Sequence, residues 1–303
     1  MSRKFFVKLH MLNVSADPHP PGVYADLLKR AFLQRQPVEI RGERSAIMTD
    51  LGWGKSKKTG KRVAAYGVIS TFTDIDVDAP WLNRATGKAA GDDDTNKIVI
   101  PEALRPHFSQ FQFYFNLERH LLVFQGTSRM PKRTGGFKAY SLSPLLMKRY
   151  LDTLFINTEV RADIRTINVT IVPDPSKLDE ILQSENIREI TMTVTLPNSD
   201  NIATERGRVR KRMERVNAKR KTEVYVASDN KGVKPDAEMI RAAKISALDG
   251  QVTARVAMND GVVPLSTADT PLTEKVEVDT NIEPEISAIR RAAERLAKLF
   301  KVS

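Results

Sequence analysis

The sequence predicts an α+β protein, with antiparallel or mixed sheets and helices packed on one face. Three observations carry this. Stretches of two-residue and of 3.6-residue hydrophobic periodicity follow one another along the chain. Several neighbouring strand stretches are joined by hairpin turns instead of helical crossovers, which speaks against a doubly wound parallel sheet. Of 303 residues, 41% are hydrophobic and 28% charged, enough for a packed core. The strand–helix–strand–strand opening is compatible with a split βαβ, ferredoxin-like unit, used up to twice. The best boundary falls near Asn157–Arg165, dividing the chain into an N-terminal domain of residues 1–160 and a C-terminal domain of residues 161–303.

Lys4–Val14 alternates as a strand does. The three prolines of Ser15–Gly22 end it, because they remove donors and fix φ. Val23, Leu27, Leu28, Ala31 and Phe32 recur at helical spacing up to Pro37. Val38–Thr49 reads as a strand and Gly52–Arg62, with three glycines and five basic residues, as a loop. Val63–Ile75 is rich in β-branched and aromatic residues, hence a strand. A polar loop, Asp76–Thr95, follows. Phe111–Phe115 and His120–Phe124 flank a hairpin, Arg129–Tyr140 is a second basic loop, and Ser143-Pro144 opens a helix with proline where no amide donor is lost.

In the second half, Thr166–Val172 is a strand and Asp174 caps a helix over Lys177–Gln183. Glu189–Leu196 is a strand with Ile190, Met192, Val194 and Leu196 on one face. Asn198-Ser199-Asp200 is the expected cap of a basic helix, Arg206–Lys221, whose Val209, Met213 and Val216 would pack on the sheet. Thr222–Ala227 is a strand and Pro235–Leu248 a helix. Gln251–Met258 and Val262–Ser266 form a hairpin across Asn259-Asp260-Gly261. A strand over Glu274–Val278 and an amphipathic helix over Pro284–Lys301 complete the chain.

Charge is segregated. The net charge is +11 and the pI about 9.7. Residues 1–150 carry the whole excess, while residues 151–303 are neutral overall. Within that neutral half, residues 206–221 hold nine basic side chains and only Glu214. Such segregation suits phosphate neutralisation with counterion release. The plainer alternative is a solvated helix face. There is no cysteine, which excludes disulfides, thiolate zinc sites, iron–sulfur clusters and thiol catalysis. With no apolar run long enough to span a membrane and no signal-like start (Lys8 and His10 interrupt it), a cytoplasmic protein is expected.

Several local patterns go together. They are Pro18-His19-Pro20-Pro21-Gly22-Val23-Tyr24, Ile40-Arg41-Gly42-Glu43-Arg44, and Ile75-Asp76 with Pro80-Trp81-Leu82-Asn83. Phe115-Asn116 with His120-Leu121, and Ser143-Pro144, complete the set. On these the chain resembles an uncharacterised bacterial family, domain-of-unknown-function family 4747. The first half carries the match and the second follows it by layout. The resemblance implies a soluble bacterial protein and brings no catalytic residues with it. Families of this kind often sit in phage-defence or mobile-element neighbourhoods.

No constellation dictates a reaction. On a strand Arg41 and Glu43 would share a face and form an ion pair, leaving Arg44 for a ligand. Asp74, Asp76 and Asp78 alternate and could gather on Mg²⁺ or Ca²⁺, or simply be solvated. His10 and His19 could meet as a general acid and base, or His19 could just pack its turn. Gly52-Trp53-Gly54-Lys55-Ser56 lacks the first glycine and the helix of a P-loop. Phe111, Phe113 and Phe115 read as core more than as a stacking platform. No cofactor is implied and no catalytic residue is assigned.

The expected function is nucleic-acid binding, RNA in preference to duplex DNA, since no helix-turn-helix is evident. The candidate contacts are Arg41, Arg44, Lys55, Lys57, Lys58, Arg62, Lys132, Arg133, Arg208, Lys211, Arg212, Arg215 and Lys219. Loops 52–62 and 129–138 are expected on one side of the first domain, acting as one phosphate-binding surface. The rivals are a nuclease built on the His or Asp residues and a scaffold subunit that docks an acidic protein partner.

Overall fold

The computed structural model describes residues 4–20, 22–76, 78–101, 103–157, 164–195, 197 and 204–299. The longest strand, β1 (Lys4–Asp17), is followed by helix α1 (Val23–Gln34). A meander of β2 (Val38–Arg41), β3 (Arg44–Lys55) and β4 (Arg62–Thr73) comes next. After a small ribbon of β5 (Leu82–Asn83) and β6 (Lys88–Ala89) and the single turn α2 (Asp92–Thr95), β7 (Ser109–Asn116) and β8 (Leu121–Gln125) form a hairpin. A second hairpin, β9 (Thr127–Pro131) with β10 (Phe137–Ser141), leads into α3 (Pro144–Ile156). Strand β11 (Thr166–Ile171) and helix α4 (Pro175–Gln183) follow. Four strands then form a separate small sheet in the order β13-β12-β14-β15: β12 (Ile187–Thr195), β13 (Arg220–Val226), β14 (Gly250–Met258) and β15 (Gly261–Ser266). Helix α5 (Glu205–Arg215) lies between β12 and β13, and α6 (Ala237–Asp249) precedes β14. The chain closes with β16 (Thr273–Asp279) and α7 (Glu285–Leu299).

The large sheet is antiparallel throughout and curls into a half-barrel, in the order β11-β1-β8-β7-β4-β3-β2. Strand β16 pairs with Lys4–His10 of β1, and β11 pairs with Leu12–Asp17 further along. This sheet therefore draws strands from both sides of residue 160. Four strands lie between β1 and β2, where a ferredoxin-like unit has one, so that topology is not the one formed.

The period of two along β1 explains both layers of the core. Leu12, Val14 and Ala16 turn to one face, where α1 and α3 pack with Phe111, Phe113 and Phe115. Val7, Leu9 and Met11 turn to the other, under α7. Helices thus cover both faces, not the expected one: an apolar stripe says that a helix is buried, not which side of a sheet it takes. Phe111 and Phe124 are fully buried, each worth about 1.5–3 kcal/mol. The phenylalanines are core, as their alternation suggests.

Three local readings are corrected. Gly52–Lys55 and Arg62 belong to strands, so the first basic loop is only residues 56–61. Glycine is tolerated there because the ring of Tyr66, the ladder partner of Gly52, covers it; a Cβ on Gly52 would sit 2.3 Å from that ring. The second basic loop is a β-hairpin whose turn is residues 132–136. Gly42 and Glu43 form the turn between β2 and β3, so Arg41 and Arg44 face each other as ladder partners and Arg41 has no ion pair with Glu43 among the described residues.

Candidate nucleic-acid interface

The expected cap at 198–200 lies outside the described residues. Helix α5 opens on Thr204, whose hydroxyl accepts from the amide of Gly207 at 3.1 Å. Glu205 in its first turn, and Arg212 and Arg215 in its last, all favour the helix dipole. Its buried face carries Arg206, Gly207, Arg210 and Met213. Val216 is 61% exposed just beyond the helix, so the expected Val209–Met213–Val216 stripe does not pack as a unit.

The two buried arginines fasten the helix. Arg206 makes a bidentate pair with Asp249 at the end of α6, with Nε donating to Oδ2 at 2.7 Å. The Asp249 side chain has no exposed surface and also accepts from Asn13 Nδ2 of β1 at 2.9 Å. Arg210 donates to Glu214 at 2.8 Å and to the carbonyl of Ala16 at 3.4 Å, and lies 3.8 Å from Asp17. A buried guanidinium is tolerable only with such partners. Two of the nine basic residues are therefore structural, and α5 is tied to the large sheet.

The outward face carries Arg208, Lys211, Arg212 and Arg215, with Lys219 just beyond, all exposed. Between α5 and β13 runs a groove of about 540 Å³. Arg208, Arg212, Arg220 and Lys221 line it together with Val209, Met213, Val216 and Ala218. Glu205 and Thr222 complete the wall. Lys211, Arg215, Lys219 and Arg220 form no ion pair with a carboxylate among the described residues, while the charge of Arg212 acts on Glu223. Lys221 pairs with Glu223, and its hydrogen bond holds that carboxyl below the usual range against the opposing effect of burial. The Tyr225 hydroxyl, which donates to Glu223 at 3.2 Å, is pushed up by the same negative charge.

The pairing places the other cations. Asn13, Leu121, Asn116 and Ala64 lie in one line across β1, β8, β7 and β4. The β3–β4 turn extends beyond that line on one side, as does the end of β1, where Arg210 is anchored. Lys55, Lys57, Lys58 and Arg62 are thus at the same end of the sheet as α5, all exposed. Arg62 also lies 4.6 Å over the ring of Trp53. From the same line, β8 and β9 run the other way. Ten residues of extended chain put Lys132 and Arg133 about 30 Å off, at the opposite end. The two basic turns therefore do not form one surface. Turn β2–β3, with Arg41 and Arg44, is also at that far end. Arg44 is half-buried and donates to Thr71 at 3.0 Å; burial, then the charge of Arg41, lowers its pKa.

The residues weighed for catalysis are dispersed. His10 packs on Phe124, and its Nδ1 donates to the carbonyl of Leu272 at 3.3 Å. His19 instead lies against His120 with the rings tilted by 59° and their centroids 4.7 Å apart, and its Nδ1 shares a hydrogen bond of 3.2 Å with the Tyr24 hydroxyl. Seven residues of β1, about 23 Å, separate His10 from the strand end before His19. Asp74 pairs with Arg105 at 2.8 Å, and Asp76 accepts the Asp78 amide at 2.9 Å. Among the described residues no three His, Asp or Glu side chains are grouped to hold a metal ion. Sequence reasoning missed Arg206, Arg210 and the groove. The available signal was Arg206, Arg210 and Met213 at i, i+4, i+7, matched by an acid, Asp249, directly after the apolar Ala247-Leu248 at the end of α6.

Fold and geometry define an α+β protein in which a curled antiparallel sheet carries a smaller sheet with a cation-rimmed groove. Among the described residues no helix is long and apolar enough to cross a membrane. The chain belongs to the family described as a domain of unknown function (DUF4747), whose model matches residues 5–294 and so runs through both sheets. No curated protein matches the chain.

Proposed function

We propose that the protein binds nucleic acid, RNA in preference to duplex DNA, along the outward face of α5 and its groove. Lys55, Lys57, Lys58 and Arg62 extend the same end of the molecule. The observation that carries this reading is the row of exposed cations Arg208, Lys211, Arg212, Arg215 and Arg220 along α5 and β13, beside a groove of ligand size. Like charges held together repel one another, and a polyanion relieves this while releasing counterions. Because α5 is fastened on its other side, it offers a trough and not a protruding reading helix, which suits a flexible strand. Recognition of foreign nucleic acid in phage defence is the setting the family resemblance suggests.

The test is a salt series with labelled RNA, single-stranded DNA and duplex DNA. Replacing Arg208, Lys211, Arg212 and Arg215 by glutamine should lower the slope of log K against log salt by about 3 for a single strand, at ~0.7 per contact. Circular dichroism should not change. An unaltered slope in a folded variant overturns the reading. Replacing Lys132 and Arg133, at the opposite end of the sheet, should matter only for long strands that reach both ends.

A further inference from the structure

We infer that the α5–β13 groove seats one unstacked nucleotide base, so that the site is selective for single strands. This rests on the nucleic-acid reading and deepens it. The rim and the floor of the groove differ in chemistry. Arg208 and Arg212 lie one helical turn apart, about 6 Å along the axis, comparable to one step of an extended nucleic-acid backbone. Arg220 stands on the opposite wall, on β13. Their planar guanidinium groups match phosphate oxygens. Below them Val209, Met213, Val216 and Ala218 give an apolar floor. Val209, Met213 and Ala218 also pack on Val194 and Ile245 beneath the helix, and the apolar edge they leave in the groove, extended by exposed Val216, is a surface that the face of a base fills. At about 540 Å³ the groove is of the size that holds a nucleotide-sized ligand. A duplex keeps its bases stacked inside and presents only phosphate and sugar to such a trough. Glu223 neutralises Lys221, and Glu205 at the margin lies 3.8 Å from Arg241, so the attraction centres on Arg208, Arg212 and Arg220.

Val216 is the residue to test, because it lines the groove, is 61% exposed and belongs to no core cluster, so its substitution spares the fold. Binding is measured by fluorescence anisotropy on the full chain. The probes are an eight-nucleotide RNA, its duplex at equal strand concentration, inorganic polyphosphate and a glutamate-rich peptide. The single strand should bind at least about tenfold more tightly than the duplex. Val216→Phe should tighten it roughly fivefold by stacking, Val216→Ser should weaken it, and polyphosphate binding should be indifferent to both. Equal binding of single strand and duplex, with both Val216 variants silent, overturns base seating and leaves the electrostatic reading standing. Preference for the glutamate-rich peptide over every nucleic acid overturns both.

Discussion

Breaking the Arg206–Asp249 pair should loosen α5 from the rest of the molecule. In Asp249→Ala the guanidinium of Arg206, with its side chain 10% exposed, loses both carboxylate oxygens, and Asn13 loses an acceptor. No water-exposed route compensates, because the Asp249 side chain is fully buried. Leaving one member of a buried pair uncompensated costs about 3–5 kcal/mol. For a chain of 303 residues that is a fall in melting temperature of roughly 5–8 °C. Arg206→Met should cost a similar amount for the converse reason, a stranded carboxylate. The double variant Arg206→Met with Asp249→Leu removes both charges and should recover most of the loss. The assay is urea and thermal unfolding of the four proteins as a double-mutant cycle, with RNA affinity measured alongside. The single variants should lose affinity because the groove wall shifts, and the double variant should regain it. A loss below about 1 kcal/mol in Asp249→Ala, or a double variant no better than the sum of the singles, would refute the buried pair as the fastening of α5.

Two further outcomes follow from packing. Burial lowers the pKa of His10 from 6.5, with nearby Lys8 acting in the same direction against the hydrogen bond to Leu272. The unfolded chain therefore binds this proton more readily than the fold does, so the contribution of His10 is intact above pH 6.5 and is lost as the pH falls through the lowered folded value. Unfolding at pH 5 and pH 8 should show a smaller acid loss in His10→Gln than in the parent, and an identical loss would contradict the assignment. Gly67→Ala should destabilise by roughly 1–3 kcal/mol, because its Cβ would lie 2.0 Å from the carbonyl oxygen of Asp50 beside the β3–β4 irregularity. A change under about 0.5 kcal/mol in urea unfolding would show that the strands can separate at no cost.

Alternation, helical spacing and turn chemistry by themselves determined most elements of this protein. The Ser143-Pro144 helix start, the Asp174 cap, and the hairpin at Asn259-Asp260-Gly261 are local, and each arises where the residues place it. Exposure of Arg208, Lys211, Arg212 and Arg215 was legible too, since so many charges cannot all turn inward. The tertiary structure alone decided which partners those elements take. Lys4 pairs with Asp279 across nearly the whole chain, and α7 chose the face of the sheet that α1 and α3 left open. It also decided that Arg206 and Arg210 are buried and Val216 is not, because a guanidinium can be buried only where Asp249, Asn13 and the end of β1 arrive to meet it. Periodicity records what a segment must hide, and only the packed chain supplies what it is hidden against.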